Sequence, residues 1–315
     1  MTLPRLLSHP LTVVPNSDIP PNARFDGEMV CIGHNEVLYM PSGSVTGSRS
    51  DLVPPAVLSV NTSDMTVSCS VLGTYLGSKK CPPLVRIGGE VYMFGGMTLT
   101  GRQRVGMGDL HVFNIATREF RQVPASGPWP EGRWSHAGFE ADGRLLIAGG
   151  SNRDNKDISS VWAYDVECGR WTQMPDLPQY PFCPSCTTVG GMTHIQGMPA
   201  ARRQPVHLTL QCVFDTETFE WRCLPPTRHP MITLAMGPYL VTMHEVGYHA
   251  TQSVFAVSAF DTVSEEWQEW DNMGIDHSCN WGGACPISAD YTLLHFAGAW
   301  LYLVEKDSHL IAEED

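Results

Sequence analysis

The chain has 315 residues, of which 43% are hydrophobic and 17% are charged. Its 20 Lys and Arg residues stand against 33 Asp and Glu residues, so the formal net charge is −13. This acidic balance argues against general nucleic-acid binding, which needs a basic surface, and against docking on an anionic membrane. The apolar content is ample for a folded core, and no apolar run is long enough for a transmembrane helix.

The ten cysteines are spread along the whole chain. Small disulfide-rich domains concentrate theirs in a short segment, whereas most of these lie in apolar runs, where a free thiol behaves as a small hydrophobe. The pattern predicts a reducing compartment, the cytoplasm, with the nucleus as the alternative. Pro4 and Pro10 interrupt the first residues and no small-residue cleavage site follows, so a signal peptide is not expected.

Short apolar runs separated by Gly, Pro, Asp and Ser follow one another along the chain, and no segment sustains a 3.6-residue apolar period. Such runs predict strands and turns, and therefore an all-β fold. Two of these runs, 91–94 and 145–148, lead into the glycine pairs Gly95-Gly96 and Gly149-Gly150. Paired glycines allow a positive φ and a close approach of backbones where a strand leaves a crowded centre.

A phrase recurs downstream of these runs: an aromatic residue, Asp or Asn, five further residues, and Trp. An Asp or Asn side chain can bond the backbone two residues on, which favours a tight turn between two strands. The phrase therefore predicts antiparallel pairs whose aromatic and Trp side chains pack between neighbouring sheets. Three copies are intact, one ends in Phe and one is worn: Tyr164-Asp165 to Trp171, Phe214-Asp215 to Trp221, Phe260-Asp261 to Trp267, Phe113-Asn114 to Phe120, and Val60-Asn61 to Val67.

Gly-Gly, Tyr-Asp and Trp together, repeated at intervals of about 50 residues, resemble the kelch family. The resemblance is strongest over residues 84–175 and stays in register from about 22 to 304. It implies a β-propeller, and it favours a binding scaffold over an enzyme as the function. No F-box or BTB module is expected, because the first repeat begins near residue 22.

The number of repeats predicts a six-bladed kelch-type β-propeller. Five units end at a Trp-equivalent position, and a sixth, beginning near 277, has no Trp strand of its own. Residues 11–15 align with 120–124 and 171–175, so we expect the N-terminal strand to close the last blade and remove its exposed edge. The expected single domain covers 1–307, with the closing strand in 1–16, blades at about 17–75, 76–127, 128–178, 179–226, 227–272 and 273–307, and an acidic tail at 308–315.

The kelch resemblance places the ligand surface on the loops that join the second and third strands of each blade and on the loops between blades. The long loops carry seven basic and four acidic residues, against 13 and 29 elsewhere. We therefore predict a basic face on an acidic body, with ordinary solvated loops as the plainer alternative. Arg and aromatic residues are enriched at binding hot spots. The candidate partner-binding residues are Arg49, Arg102, Arg104, Trp129, Arg153, Lys156, Tyr180, Arg202 and Arg203.

Other conspicuous residues are assigned to structure. The structural repeat residues are Gly95, Gly96, Gly149, Gly150, Tyr164, Trp171, Trp221 and Trp267. Cys183-Pro184-Ser185-Cys186 has no second pair at a zinc-site spacing, and His136 occupies a first-strand position, so both are interpreted as packing residues. No catalytic residue, metal or cofactor is assigned.

The sequence thus predicts a non-catalytic scaffold or adaptor that binds another protein, in the most specific form an acidic segment, and that is a monomer. Neither nucleic acid nor membrane is expected as a partner. One alternative is an enzyme or metal-dependent protein that uses the central mouth of the propeller. The other is an actin-binding or cytoskeletal structural protein.

Overall fold

The computed structural model describes residues 6–14, 27–41, 54–73, 82–100, 103–179, 181–199, 209–227, 232–249, 252–270, 280–287, 291–297 and 300–306. All regular secondary structure in these ranges is β-strand. Within them, no helix is long and apolar enough to cross a membrane. The all-β class expected from the strand-and-turn composition is confirmed.

The first half of the chain supplies fifteen of the described strands. They are β1 Leu6–Pro10, β2 Thr12–Val13, β3 Gly27–Gly33, β4 Glu36–Pro41, β5 Ala56–Asn61, β6 Thr66–Val71, β7 Val85–Ile87, β8 Glu90–Phe94, β9 Met97–Thr100, β10 Gln103–Gly106, β11 Leu110–Asn114, β12 Glu119–Val123, β13 Arg133–Trp134, β14 Ala137–Ala141 and β15 Arg144–Ala148. The rest are β16 Ser151–Asn152, β17 Val161–Asp165, β18 Arg170–Met174, β19 Pro181–Val189, β20 Met192–Pro199, β21 Thr209–Asp215, β22 Trp221–Thr227, β23 Ile232–Met236, β24 Tyr239–His249, β25 Gln252–Asp261, β26 Glu266–Trp270, β27 Asn280–Pro286, β28 Tyr291–Ala297 and β29 Trp300–Lys306.

The chain divides into two compact units, one made of residues 1–41, 49–72 and 229–315 and the other of residues 42–48 and 73–228. The first unit holds sheets with the strand orders β1-β29-β28-β27, β2-β6-β5-β4-β3 and β23-β24-β25-β26. The second holds β12-β11-β8-β7, β14-β15-β17-β18 and β19-β20-β21-β22, with the two-stranded ribbons β10-β9 and β13-β16. Six blades were predicted. Among the described residues, five sheets have four strands each and one further sheet has five strands.

The turns of the repeated phrase form as predicted. The side-chain oxygen of Asp165 accepts hydrogen bonds from the backbone N–H of Glu167 and of Cys168, both at 2.9 Å. Asn114, Asp215 and Asp261 accept the equivalent pair, and Asn61 accepts one bond, from Ser63. These backbone donors stabilise the ionised carboxylate and lower the pKa of Asp165.

The constant six-residue gap in the phrase has a simple structural meaning. It places the aromatic residue directly opposite the Trp on the neighbouring antiparallel strand, as in Tyr164↔Trp171. The other four copies have the same register: Val60↔Val67, Phe113↔Phe120, Phe214↔Trp221 and Phe260↔Trp267. Directly opposed residues on one face are the closest side-chain neighbours in a sheet, which is why a fixed gap preserves the packing.

The N-terminal segment does close the sheet that contains the C-terminal strands, but with different residues from those predicted. The closing strand is β1, Leu6–Pro10, which pairs antiparallel with β29, whereas the sequence alignment assigned residues 11–15 to this role. Leu11 still donates its N–H to the Leu301 carbonyl at 2.8 Å, after which Thr12 and Val13 pair in parallel with β6 of the neighbouring sheet. The chain therefore crosses between two sheets at Leu11, and β2 becomes the fifth strand of the second sheet.

The residues at this crossover alternate as a strand predicts. Leu11 is buried in a cluster with Val37, Leu58 and Leu301, Thr12 is exposed, Val13 is half-buried and Val14 is exposed. The predicted domain limits and blade boundaries, including the tail at 308–315, remain predictions.

Candidate functional site

The two glycine pairs hold the backbone in the same conformation. Their φ angles are +69° and +92° at Gly95 and Gly96, and +69° and +102° at Gly149 and Gly150. A Cβ on Gly95 would lie 2.6 Å from the Arg133 carbonyl oxygen, and one on Gly150 would lie 2.8 Å from the His136 Cβ. Only glycine allows both the positive φ and the close approach of neighbouring atoms, so each glycine pair fixes where the chain leaves a sheet.

Arg133 is fully buried at the point where the second glycine pair leaves the sheet. Its guanidinium donates to the carbonyls of Gly149 and Ser160, at 3.0 Å and 2.8 Å, and to the Ser160 hydroxyl at 2.9 Å. Burial lowers its pKa to about 10, so the side chain still carries its charge at neutral pH. Arg133 therefore ties together both ends of the loop that carries Arg153 and Lys156.

That loop is organised by its own side chains. Asn152 accepts hydrogen bonds from the N–H groups of Asp154 and Lys156, at 3.0 Å and 3.1 Å. The Ser151 hydroxyl donates to Asp157 at 2.9 Å. These bonds hold the exposed side chains of Arg153 and Lys156 on a defined turn.

A pocket of about 450 Å³ lies beside this loop. We call it the Trp129 pocket; its lining includes Met107, Asp109, Gln122, Trp129, Pro130 and Arg153. The indole N–H of Trp129 donates to the Gly108 carbonyl at 2.6 Å, and its ring meets the Trp171 ring edge-on with centroids 6.0 Å apart. The Arg153 Nε donates to the Gly106 carbonyl at 3.3 Å. The structure therefore brings two of the predicted binding residues, Trp129 and Arg153, to one pocket.

The pocket depends on a close contact between two backbone segments. A Cβ on Gly132 would lie 2.6 Å from the Gly106 carbonyl oxygen, and a Cβ on Gly106 would lie 2.9 Å from the Gly132 carbonyl oxygen. The Arg133 N–H also donates to the Met107 carbonyl at 2.9 Å. This approach carries Asp109 to the pocket wall, where it lies 3.3 Å from the Nδ1 of the buried His111.

Arg104 lies on the ribbon that ends at Gly106. Its guanidinium carbon is 5.3 Å from the centre of the Trp134 ring, a cation–π geometry, and the residue is exposed. Arg104, Arg153 and Lys156 thus belong to two neighbouring loops joined by the Arg153–Gly106 hydrogen bond.

The charge on these two loops is balanced in the described part of the chain. The two loops carry three described cations, Arg104, Arg153 and Lys156, and three described acids, Asp109, Asp154 and Asp157. The predicted basic excess therefore depends on residues that lie outside the described ranges. These are Arg49, Arg102, Arg202 and Arg203; the candidate anchor Tyr180 lies outside them as well.

The family model described as the KLHDC2/KLHL20/DRC7 Kelch-repeats domain matches residues 6–197 and again residues 84–298. These matches cover most of the chain. The chain belongs to the kelch-repeat family. Its fold is the kelch-type β-propeller, as the sequence predicts.

Individual kelch relatives are distant. Kelch domain-containing protein 3 of Homo sapiens is 26% identical over 187 residues, which are 54% of this chain and 46% of that protein. Kelch domain-containing protein 1 of Mus musculus is 28% identical over 150 residues, 46% of this chain and 31% of that protein. An F-box/kelch-repeat protein of Arabidopsis thaliana is 28% identical over 140 residues, 44% and 38% of the two chains. The chain spans less than half the length of these relatives.

The solved structure of YjhT superimposes on the kelch chain with a TM-score of 0.63 and 14% sequence identity. The superposition covers 90% of this chain and 95% of that one. At such low identity the likeness shows the fold alone.

Two of the repeat Trp residues, Trp171 and Trp221, lie at contacts between neighbouring sheets of the second unit, and Trp267 packs within its own sheet in the first unit. Trp171 is buried and packs edge-on against Phe94 of the preceding sheet, with ring centroids 5.2 Å apart; its ring is tilted against that of Tyr164, with centroids 5.1 Å apart. Trp221 is half-buried and lies 6.3 Å from Phe139 of its preceding sheet. Trp267 is half-buried and lies 5.2 Å from Phe260. Their assignment as packing residues without a ligand role remains a prediction.

His136 is also buried, and its ring meets Phe94 edge-on with centroids 6.1 Å apart. Burial and the nearby charge of Arg133 lower its pKa to about 3, so the imidazole is neutral at physiological pH. In the described ranges, no group of three or more His, Cys, Asp or Glu side chains could hold a metal ion.

Sequence reasoning missed Arg133 and the wall residues Met107 and Asp109. A signal for Arg133 was available, because it is the single cation in the first-strand phrase Arg133-Trp134-Ser135-His136. The glycines at 106, 108 and 132 were a weaker signal for a close backbone approach.

Proposed function

We propose that this kelch propeller is a non-catalytic scaffold or adaptor and that it binds a segment of a partner protein at the Trp129 pocket. The observation that carries the proposal is the meeting of Trp129 and Arg153 in one pocket. Arg and Trp are the residue types that dominate binding energy at protein interfaces. The kelch relatives also point to a protein-interaction propeller.

The chemistry of the pocket favours a carboxylate beside an apolar side chain. Arg153 uses its Nε for the Gly106 carbonyl, so its terminal nitrogens can offer a carboxylate two parallel hydrogen bonds. Trp129 is held by Gly108 and Trp171, so it presents a fixed apolar wall whose ordering needs little further entropy loss on binding. Arg49, Arg102, Arg202, Arg203 and Tyr180 extend this surface in the proposal on sequence grounds alone.

Labelled peptides test the proposal directly. The probe is a pool of fluorescein-labelled peptides that carry Asp or Glu next to Trp, Phe or Leu, with matched Asn and Gln peptides. Arg153→Glu should weaken binding of the acidic peptides at least about tenfold, which corresponds to about 1.4 kcal/mol. Lys156→Glu, on the same turn but outside the pocket lining, is the matched control and should change affinity much less. Equal effects of both variants would contradict a pocket centred on Arg153.

The proposed binding should depend on salt and on the carboxylate. Exposed charge pairs are screened beyond about 8 Å at physiological ionic strength, so affinity for the acidic peptides should fall as salt rises. The Asn and Gln peptides should bind weakly at all salt concentrations. If affinity changes neither with salt nor when Asp and Glu are replaced by Asn and Gln, the loops do not recognise an acidic segment. The plainer alternative of ordinary solvated loops would then hold.

We further propose that the protein is a monomer of a reducing compartment, the cytoplasm or alternatively the nucleus, without nucleic acid or membrane as a partner. The seven cysteines whose side chains the structure describes are free thiols, which supports a reducing compartment. The net charge of −13 supports the absence of nucleic-acid binding. Light scattering on the purified chain and fluorescence of a tagged chain in cells test these two statements.

A further inference from the structure

Two cysteines face each other across the outer strands of the β19-β20-β21-β22 sheet. Cys212 on β21 lies directly opposite Cys223 on β22, and β22 is the edge strand of this sheet. Opposed residues on antiparallel strands have Cα atoms about 4.5–5.5 Å apart. A disulfide spans Cα separations of about 4.4–6.8 Å, so the register alone allows a bond between the two sulfurs.

The two thiols differ in access to solvent. The Cys212 Sγ donates to the Gln179 carbonyl at 3.7 Å. Cys212 is fully buried, whereas Cys223 is exposed. A reagent in solution therefore reaches Cys223 first and finds a second thiol beside it.

We propose that Cys212 and Cys223 form a thiol–disulfide exchange site whose substrates are small soluble disulfides. The Cys223 thiolate attacks one sulfur of the small disulfide, and one small thiol leaves as its thiolate. The Cys212 sulfur, after losing its proton to solvent, attacks the Cys223 sulfur of this mixed disulfide, and the second small thiol leaves. Both cysteines are oxidised to one disulfide, and the small disulfide is reduced to two thiols.

The order of attack follows from the environment of each sulfur. Burial, with the neighbouring Cys223 thiol as a second cause, raises the pKa of Cys212 to about 12. The thiolate is the nucleophile in exchange, so the buried and protonated Cys212 does not begin the reaction. Cys212 acts second, when the mixed disulfide on Cys223 stands next to it.

Two other cysteine environments provide internal controls. Cys168 is exposed in the turn between β17 and β18, where it has no cross-strand partner in the register of that pair. Cys285 is 2% exposed, and the half-buried Cys31 packs against the same core cluster. We therefore expect a stable mixed disulfide on Cys168 and no reaction at Cys285 in the folded protein.

The experiment treats the folded full chain with oxidised glutathione, blocks remaining thiols by alkylation and digests with trypsin without reduction. Trypsin cuts after Arg222, so Cys212 and Cys223 fall in the separate peptides 204–222 and 223–228. Mass spectrometry should find these two peptides joined by a disulfide that dithiothreitol removes. The Cys168 peptide should carry glutathione instead.

Variants make the test specific. In Cys212→Ser, Cys223 should retain glutathione as a stable adduct, and in Cys223→Ser, Cys212 should stay unmodified. If Cys212→Ser does not fold, the joined peptide from the wild-type chain still decides the question. Glutathione on wild-type Cys223 at the level seen on Cys168, without the joined peptide, would overturn the proposal. So would a joined peptide that forms only when urea is added.

Discussion

Two neighbouring sheets of the second unit show what the glycine pair does. In the β14-β15-β17-β18 sheet, β15 stops at Gly149-Gly150, and the chain turns out into the loop that carries Arg153. In the β19-β20-β21-β22 sheet, the equivalent position is Gln196-Gly197, and β20 continues through it to Pro199. The strand therefore ends where both glycines are present, and it continues for two residues past Gly197 where one is missing.

The buried polar side chains also differ between the two sheets. Beside Gly149 the buried Arg133 reaches the carbonyls at both ends of the loop. In the other sheet the buried side chains of His194 and Gln211 lie 3.2 Å apart at their nitrogens. The loop and the Trp129 pocket therefore occur where the glycine pair ends the strand and Arg133 bonds the carbonyls at both ends of the loop.

The largest difference between the two sheets is expected at their Trp residues. Trp171→Ala should lower the free energy of unfolding by about 3–5 kcal/mol, because the side chain is buried against Phe94, Tyr164 and Trp129. Trp221→Ala should cost less, because that side chain is only half-buried. Urea unfolding measures both values. A Trp171 variant that keeps its stability but loses binding of the acidic peptides would contradict the packing assignment.

The glycine pair itself gives a sharper comparison. Gly150→Ala should cost about 3 kcal/mol, because the new Cβ would meet His136 at 2.8 Å in a backbone conformation that disfavours side chains. Gly197→Ala, within strand β20, is the matched control and should cost about 1 kcal/mol or less. Equal costs in thermal or urea unfolding would show that the glycine pair does not direct the chain.

A smaller effect is expected in the pH dependence of the free energy of unfolding, through the buried His136. His136 has a pKa of about 3 in the folded protein, against about 6.5 in an unfolded chain. The unfolded state therefore binds more protons as pH falls below 6.5, and stability is lost in that direction. At pH 5 the loss from this residue is about 2 kcal/mol relative to pH 7.

His136→Gln is the control for that prediction, because the carboxylates that also titrate in acid are the same in both proteins. The variant should lose about 2 kcal/mol less than the wild type between pH 7 and pH 5 in urea unfolding. Parallel pH profiles for the two proteins would mean that the folded protein accepts a proton at His136 without cost.

The sequence predicted the repeat well because its key spacing is local. A six-residue gap between Tyr164 and Trp171 can be read directly, and a turn at Asp165 converts it into a cross-strand pair. The closing strand was misplaced by a few residues because both 6–10 and 11–15 are short apolar runs. Spacing alone could not show that the chain changes sheets at Leu11.

The site was predictable only in part, since its assembly is not local. Trp129 and Arg153 could be named from residue type and position in the repeat. Their meeting depends on the backbone contact between Gly106 and Gly132, which joins loops of two neighbouring repeats. Asp109 enters the pocket through the same contact, and it balances part of the positive charge that the loop sequences suggested.

Hydrogen exchange with the tightest-binding acidic peptide of the labelled pool tests the central claim most directly. Binding at the Trp129 pocket should slow exchange in residues 103–109, 122–132 and 151–157. Residues 192–199, where the glycine pair is incomplete, should exchange at the same rate with and without peptide, and Arg153→Glu should abolish the protection. Protection that centres on 192–199, or that persists in Arg153→Glu, would contradict the account.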